Sequence, residues 1–289
     1  MIDYDGKSWI SVLSKVKGSV LPRLLPRTIV AAGIGYLAQW LHINHKFHTP
    51  TTVHTLIGVA LGLLLVFRTN ASFDRWWEGR KLLGGIVNRT RDLARQAGGY
   101  FADDDETRSL IIRYLDAYFI LATQSLRAEN QLDKLGDLLT DDERKKLEKL
   151  TAARASTVLS WITKRLDEKA KDGKLSEVRL LAMDTNLTAL VDYYSGCERI
   201  ARTPVPFAYA HHIKLFVMLF VFTVPFAISD VMKEFTPFAT AVLAYALLGI
   251  DEIGVEIEDP FGYDPNDLPL DRIAKTISTS THEIGRVKS

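Results

Sequence analysis

Four stretches of this chain contain no Asp, Glu, Lys or Arg, and they constrain the fold more than any other feature. They are Thr28 to His45, Phe47 to Phe67, Leu215 to Ser229 and Phe235 to Ile250. The first two approach the roughly 20 apolar residues that carry a helix across the hydrocarbon core of a bilayer. The second pair is shorter. Aromatic and weakly polar residues from Pro204 lengthen the third window, and the fourth continues past Asp251 and Glu252 toward Val255. On pattern alone a buried hairpin in a soluble protein competes with a spanning one for this second pair. Averages hide the segregation. The mean hydropathy is +0.03 and the net charge +1, because dense charge between residues 74 and 202 offsets the oily windows.

Loop charges suggest an orientation. Arg23 and Arg27 precede the first window, and Arg68, Arg75, Arg80, Lys81, Arg89 and Arg91 follow the second. The intervening loop holds Lys46 and several histidines, so the positive-inside bias places both chain ends and the middle region in the cytoplasm. Residues 1–23 mix Asp3, Asp5, Lys7, Lys15 and Lys17 with Trp9, Ile10, Val12 and Leu13. They lack the form of a secretory signal and read as a cytosolic amphipathic segment. The expected organisation is a first membrane hairpin over 24–75, a cytosolic helical region over 76–210, a second hairpin over 211–256 and a cytosolic tail over 257–289.

The middle region reads as helical. Leu110, Ile111, Tyr114, Leu115, Tyr118, Phe119, Leu121 and Ala122 recur at helical spacing. Thr140 with Glu143 has the form of a capping box, and Lys171-Asp172-Gly173-Lys174 reads as a turn before another helix. No alternating strand pattern or internal repeat is evident, so the fold class is all-α.

Several chemistries find no support. The single cysteine, Cys197, excludes an internal disulfide framework, and it reads as a small core residue. His211 and His212 are adjacent, so they point to different helix faces and are poorly placed to share a metal. No phosphate loop, nucleophile elbow or HExxH motif occurs, and no basic excess suggests nucleic acid. No enzyme, metal or cofactor is expected.

The second window carries the sharpest local pattern. Val59, Leu63 and Phe67 recur every four residues along one helix face, and Gly58 and Gly62 form a small-xxx-small ridge. Copies of this helix around an axis would turn the apolar stripe into a constriction of the kind that gates by dewetting. Directly after it come Arg68-Thr69-Asn70-Ala71-Ser72-Phe73-Asp74-Arg75-Trp76-Trp77-Glu78-Gly79-Arg80, whose Asp74 and Glu78 could pair with neighbouring arginines. This segment resembles the signature after the second membrane helix of bacterial bestrophins. Residues 202–209, Arg-Thr-Pro-Val-Pro-Phe-Ala-Tyr, resemble that family's approach to the third helix. Residues 257–271, Ile-Glu-Asp-Pro-Phe-Gly-Tyr-Asp-Pro-Asn-Asp-Leu-Pro-Leu-Asp, resemble its signature after the fourth.

The resemblance implies a homopentameric ion channel with a central pore, in the inner (cytoplasmic) membrane, whose partners are further copies of itself, lipid and permeant monovalent ions. It assigns the hydrophobic neck to Val59, Leu63 and Phe67 and a cytosolic constriction to Val178. Structural roles pass to Arg68, Asn70, Arg75, Trp76, Glu78, Pro204, Pro206, Asp259, Pro260, Phe261, Gly262 and Asp267. In animal members, acidic residues after Pro-Phe-Gly help form a calcium clasp. Here Tyr263 and Pro265 replace acids, leaving Asp264, Asn266 and Asp267, so calcium gating is not expected. Asp251, Glu252, Glu256 and Glu258 would favour cations if they faced an aqueous vestibule, or could pair with the arginines of the 68–80 segment. Chloride and cation conduction both stay open, with a slight lean to cations. A membrane-anchored helical scaffold without a pore is the alternative.

Overall fold

The computed structural model describes residues 7–286; Asp3 and Asp5 lie outside the described residues. Every regular element among them is helical. The order begins with α1 (Trp9–Leu13), α2 (Leu21–His45) and α3 (Thr51–Tyr100). It continues with α4 (Asp105–Leu126), α5 (Asp141–Glu148), α6 (Arg154–Lys171) and α7 (Glu177–Arg202). The last three are α8 (Phe207–Met232), α9 (Thr236–Glu258) and α10 (Leu270–Arg286). The chain divides into two compact units, one of residues 1–76 with 204–267, the other of 77–203 with 268–289.

The first unit holds the oily windows on α2, the first half of α3, α8 and α9. Helix α3 and the run Phe207–Glu258 are long and apolar enough to cross a membrane. Lys233, with φ 47°, breaks that run between α8 and α9 and lets the two helices pair. Its core gathers Ala31 of α2, Leu61 and Leu65 of α3, Ile213, Val217 and Val221 of α8, and Ala244 of α9. Small residues set the α2–α9 spacing. A Cβ added to Gly35 would lie 2.8 Å from Thr240 Oγ1 and 2.9 Å from Pro237 Cα, so only glycine fits this crossing. The Gly58–Gly62 ridge is split: a Cβ at Gly58 would meet the Phe220 ring at 3.3 Å, whereas Gly62 faces open space.

In the second unit α4 forms the centre. Tyr114, Leu115, Tyr118, Phe119, Leu121 and Ala122 are all buried, and the Tyr118 hydroxyl donates to the Leu190 carbonyl of α7 at 2.9 Å. Asp104 caps α4 through the Thr107 amide and meets Lys169 of α6 at 2.7 Å. The Lys169 ammonium, donating to that carboxylate, holds its pKa down to about 2. Thr140 and Glu143 form a complete capping box on α5, and the Glu143 carboxylate also accepts from the Tyr114 hydroxyl. Gly173, with φ 70°, makes the turn into α7, which Ser176 caps. Cys197 is fully buried, and burial pushes its thiol up to about 12, as suits a packing residue. Asp116 is buried and accepts from Ser278 at 2.9 Å and Thr281 at 3.4 Å, fastening α10 to α4.

Candidate functional site

The face that α3 turns away from its own unit carries the apolar stripe. Leu61, Leu65, Arg68 and Ser72 are buried, one helical repeat after another, against α8 and α9. Val59, Leu63 and Phe67 lie on the other side, with 71%, 60% and 58% of their surface exposed. Thr52 and Thr55 precede the stripe on the exposed side, and Asn70 and Asp74 follow it, all exposed. Leu56 and Val66 are exposed on the same side, so this face reads polar, apolar, polar, with an apolar middle from Leu56 to Phe67, about 16 Å long at 1.5 Å per residue.

A buried ion network fixes the rotation of α3 that produces this division. Arg68 is 2% exposed. Its terminal nitrogen donates to Glu258 at 3.3 Å. Its Nε lies 3.2 Å from Asp251 Oδ1, close enough for charge attraction but off the hydrogen-bonding line. Gly254 of α9 lies beside it, so the guanidinium can rest against that helix. Asp251 also receives Lys214 of α8 at 3.1 Å.

Glu258 is where the three sequence motifs meet. Its carboxylate takes Arg68 and the Val205 amide (3.0 Å), while its carbonyl accepts from Arg75 Nε at 3.1 Å. Trp76 Nε1 donates to the Asn266 carbonyl at 3.3 Å, and the Asn266 side chain donates to Glu256 at 2.8 Å and to the Gly18 carbonyl at 3.0 Å. The remaining acids of this end are met by α2: Arg23 contacts Glu256 at 3.3 Å and Asp264 at 2.8 Å, and Arg27 contacts Glu252 at 2.8 Å. Sequence spacing pointed to arginine partners for these carboxylates but missed Arg23, Arg27 and Lys214, which lie far away in the chain.

The loop after α9 is tight. Phe261 is fully buried, Pro260 is buried, and Asp259 accepts from the Phe261 amide at 3.4 Å. Asp267 accepts from the Asp264 amide at 2.7 Å and is 4% exposed. A Cβ at Gly262 would lie 2.8 Å from Asp267 Oδ2, so this glycine admits the carboxylate. Burial, with the negative Asp264, Asp259 and Glu256 nearby, raises the Asp267 pKa to about 7.

Other motif residues are placed differently. Pro204 and Pro206 are exposed, and Pro206 leads the chain into α8, its carbonyl accepting from the Tyr209 amide. Asn70 is exposed and lies on the same side of α3, just beyond the apolar stripe. Glu78 pairs with Arg199 of α7 at 2.8 Å within the second unit, instead of with an arginine on its own helix. Val178 is 78% exposed in the first turn of α7, with Leu181 beside it at 67%. His211 and His212 stack on Phe207 and Phe216, respectively. No cluster among the described residues has the makings of a metal site.

A family model described as Bacterial/Fungal Bestrophin protein matches residues 1–283. The chain belongs to the bestrophin family. A voltage-dependent anion channel-forming protein of Nostoc is 35% identical over 96% of this chain and 92% of its own length. One from Synechocystis is 34% identical over 96% and 91%. The crystal structure of a bacterial bestrophin homolog from Klebsiella pneumoniae superposes with a TM-score of 0.85 at 29% identity, covering 92% of this chain and 98% of that one. This bestrophin is thus an all-helical membrane protein and belongs among ion channels, not enzymes.

Proposed function

We propose that this bestrophin is a passive channel for small monovalent ions, built from five copies around an axis lined by α3. One observation carries the reading: the apolar face of Val59, Leu63 and Phe67 is left open by its own unit and bounded by polar residues at both ends. A ring of such faces makes a short neck without fixed charge, a barrier that wets or dewets and does not bind ions. Helices α2, the first half of α3, α8 and α9 are the four crossings, with both termini in the cytoplasm; Arg23, Arg27, Arg75 and Lys214 near their inner ends support that orientation. Val178 is proposed as a second ring, supported by its exposure at the start of α7.

The geometry weakens the cation reading. Asp251, Glu252, Glu256 and Glu258, which would form an acidic vestibule, already face Arg23, Arg27, Arg68 and Lys214. The relatives, moreover, are named as anion channel-forming proteins. Anions are therefore the expected permeant class. Calcium control is not part of the proposal, since Asp264 is held by Arg23 and Asn266 donates to Glu256 and Gly18.

Planar-bilayer recording of the purified protein tests the whole reading. Leu63→Ala and Phe67→Ala should raise conductance or open probability, and Val178→Ala tests the second ring in the same way. Under asymmetric KCl the reversal potential should move toward the chloride Nernst value, and added micromolar calcium should leave the currents unchanged. Unaltered currents in both neck variants would remove the neck from these residues.

A further inference from the structure

Within the first unit, α2, α8 and α9 leave a crevice of about 360 Å³ between them. One end is lined by Arg27, Lys214 and Asp251. The rest is apolar: Val30 of α2, Met218 and Phe222 of α8, and Leu248 of α9. Along α8 the lining runs from Lys214 to Phe222, about 12 Å at 1.5 Å per residue. The crevice is therefore amphipathic along its length, with cations at the proposed cytoplasmic level and an apolar trough leading toward the bilayer interior.

We infer that this crevice holds one phospholipid of the inner leaflet with an anionic headgroup. The phosphate bridges Arg27 and Lys214, and an acyl chain lies along Val30, Met218, Phe222 and Leu248. Both cations have capacity to spare. Arg27 meets Glu252 through a single guanidinium nitrogen at 2.8 Å, and Lys214 spends one of its three N–H donors on Asp251 at 3.1 Å. Their side chains are still 56% and 49% exposed. A neighbouring copy of the chain suits this end less well. The acids it could offer at the same depth, Asp251, Glu252 and Glu256, are already in ion pairs. Anionic lipid supplies charge of the needed sign at the membrane surface. The inference rests on the membrane placement of this unit and not on conduction.

The test measures binding alone. Full-length protein, delipidated in detergent, is titrated with a phosphatidylglycerol of one acyl composition and read by native mass spectrometry. Phosphatidylcholine of the same chains and soluble glycerol phosphate are the comparison arms. One saturable phosphatidylglycerol per chain is expected. Arg27→Gln with Lys214→Gln should weaken it by about a hundredfold, the scale of two charge-assisted hydrogen bonds. Met218→Trp, at a partly exposed position, should block it by filling the trough while leaving the lipid-free melting temperature unchanged. Equal binding of phosphatidylcholine, or equal displacement by glycerol phosphate, would overturn the proposal. So would a Met218→Trp protein that still takes the lipid, or a parent protein that takes none. Because no current enters these readouts, a non-conducting protein that binds the lipid would refute the channel and leave the site standing.

Discussion

Arg68→Met removes the buried cation that orients α3, and the structure sets the size of the effect. Arg68 is 2% exposed and faces Asp251 at 3.2 Å and Glu258 at 3.3 Å. Breaking a buried ion pair by removing one partner costs about 3–5 kcal/mol, because a charge is left without compensation. Here Asp251 keeps Lys214 and Glu258 keeps the Val205 amide, which points to the lower end, about 3 kcal/mol. Arg68→Lys retains the charge but cannot reach both acids from one compact ammonium, and should cost roughly 1–2 kcal/mol. Adding Glu258→Gln to Arg68→Met removes one stranded charge while keeping an oxygen for Val205, so the double variant should recover about 1 kcal/mol or more. Equilibrium unfolding in mixed micelles, followed by tryptophan fluorescence, measures all three against the parent. A loss below about 1 kcal/mol for Arg68→Met, or a double variant no more stable than the single, would refute the view that this network holds the helix.

Two further expectations concern the same unit. Asp267 has its pKa raised to about 7, so the folded state binds a proton that the unfolded state releases near 4. Stability contributed by the protonated form is then lost as pH rises from about 4 through 7, by at most ~4 kcal/mol; Asp267→Asn should flatten that slope, and an unchanged pH profile would contradict it. Gly35→Ala drives a Cβ into Thr240 and Pro237 and should destabilise by about 1–3 kcal/mol, while Gly33→Ala, which meets nothing within 4 Å, should be neutral or slightly stabilising. Equal melting temperatures for the two alanine variants would show that α2 and α9 do not rely on close approach.

Much of this chain could be read from local pattern. Period and charge located the helices, because an apolar face and a capping box act over a few residues: Thr140 and Glu143, or Leu115 and Tyr118, needed no distant partner to be recognised. The stripe of Val59, Leu63 and Phe67 was likewise visible as spacing. Which side of α3 it would occupy was not, since any apolar face in a membrane helix can meet lipid or a neighbour equally well. Only packing decided that Leu61 and Leu65 turn inward. The motifs tell the same story. Each was legible as a string, but their meeting at Glu258 depends on residues about 190 and 53 positions apart coming together. A Coulomb attraction is set by distance in space, and sequence alone contains no such distance for Arg23, Arg27 or Lys214 until the helices are packed.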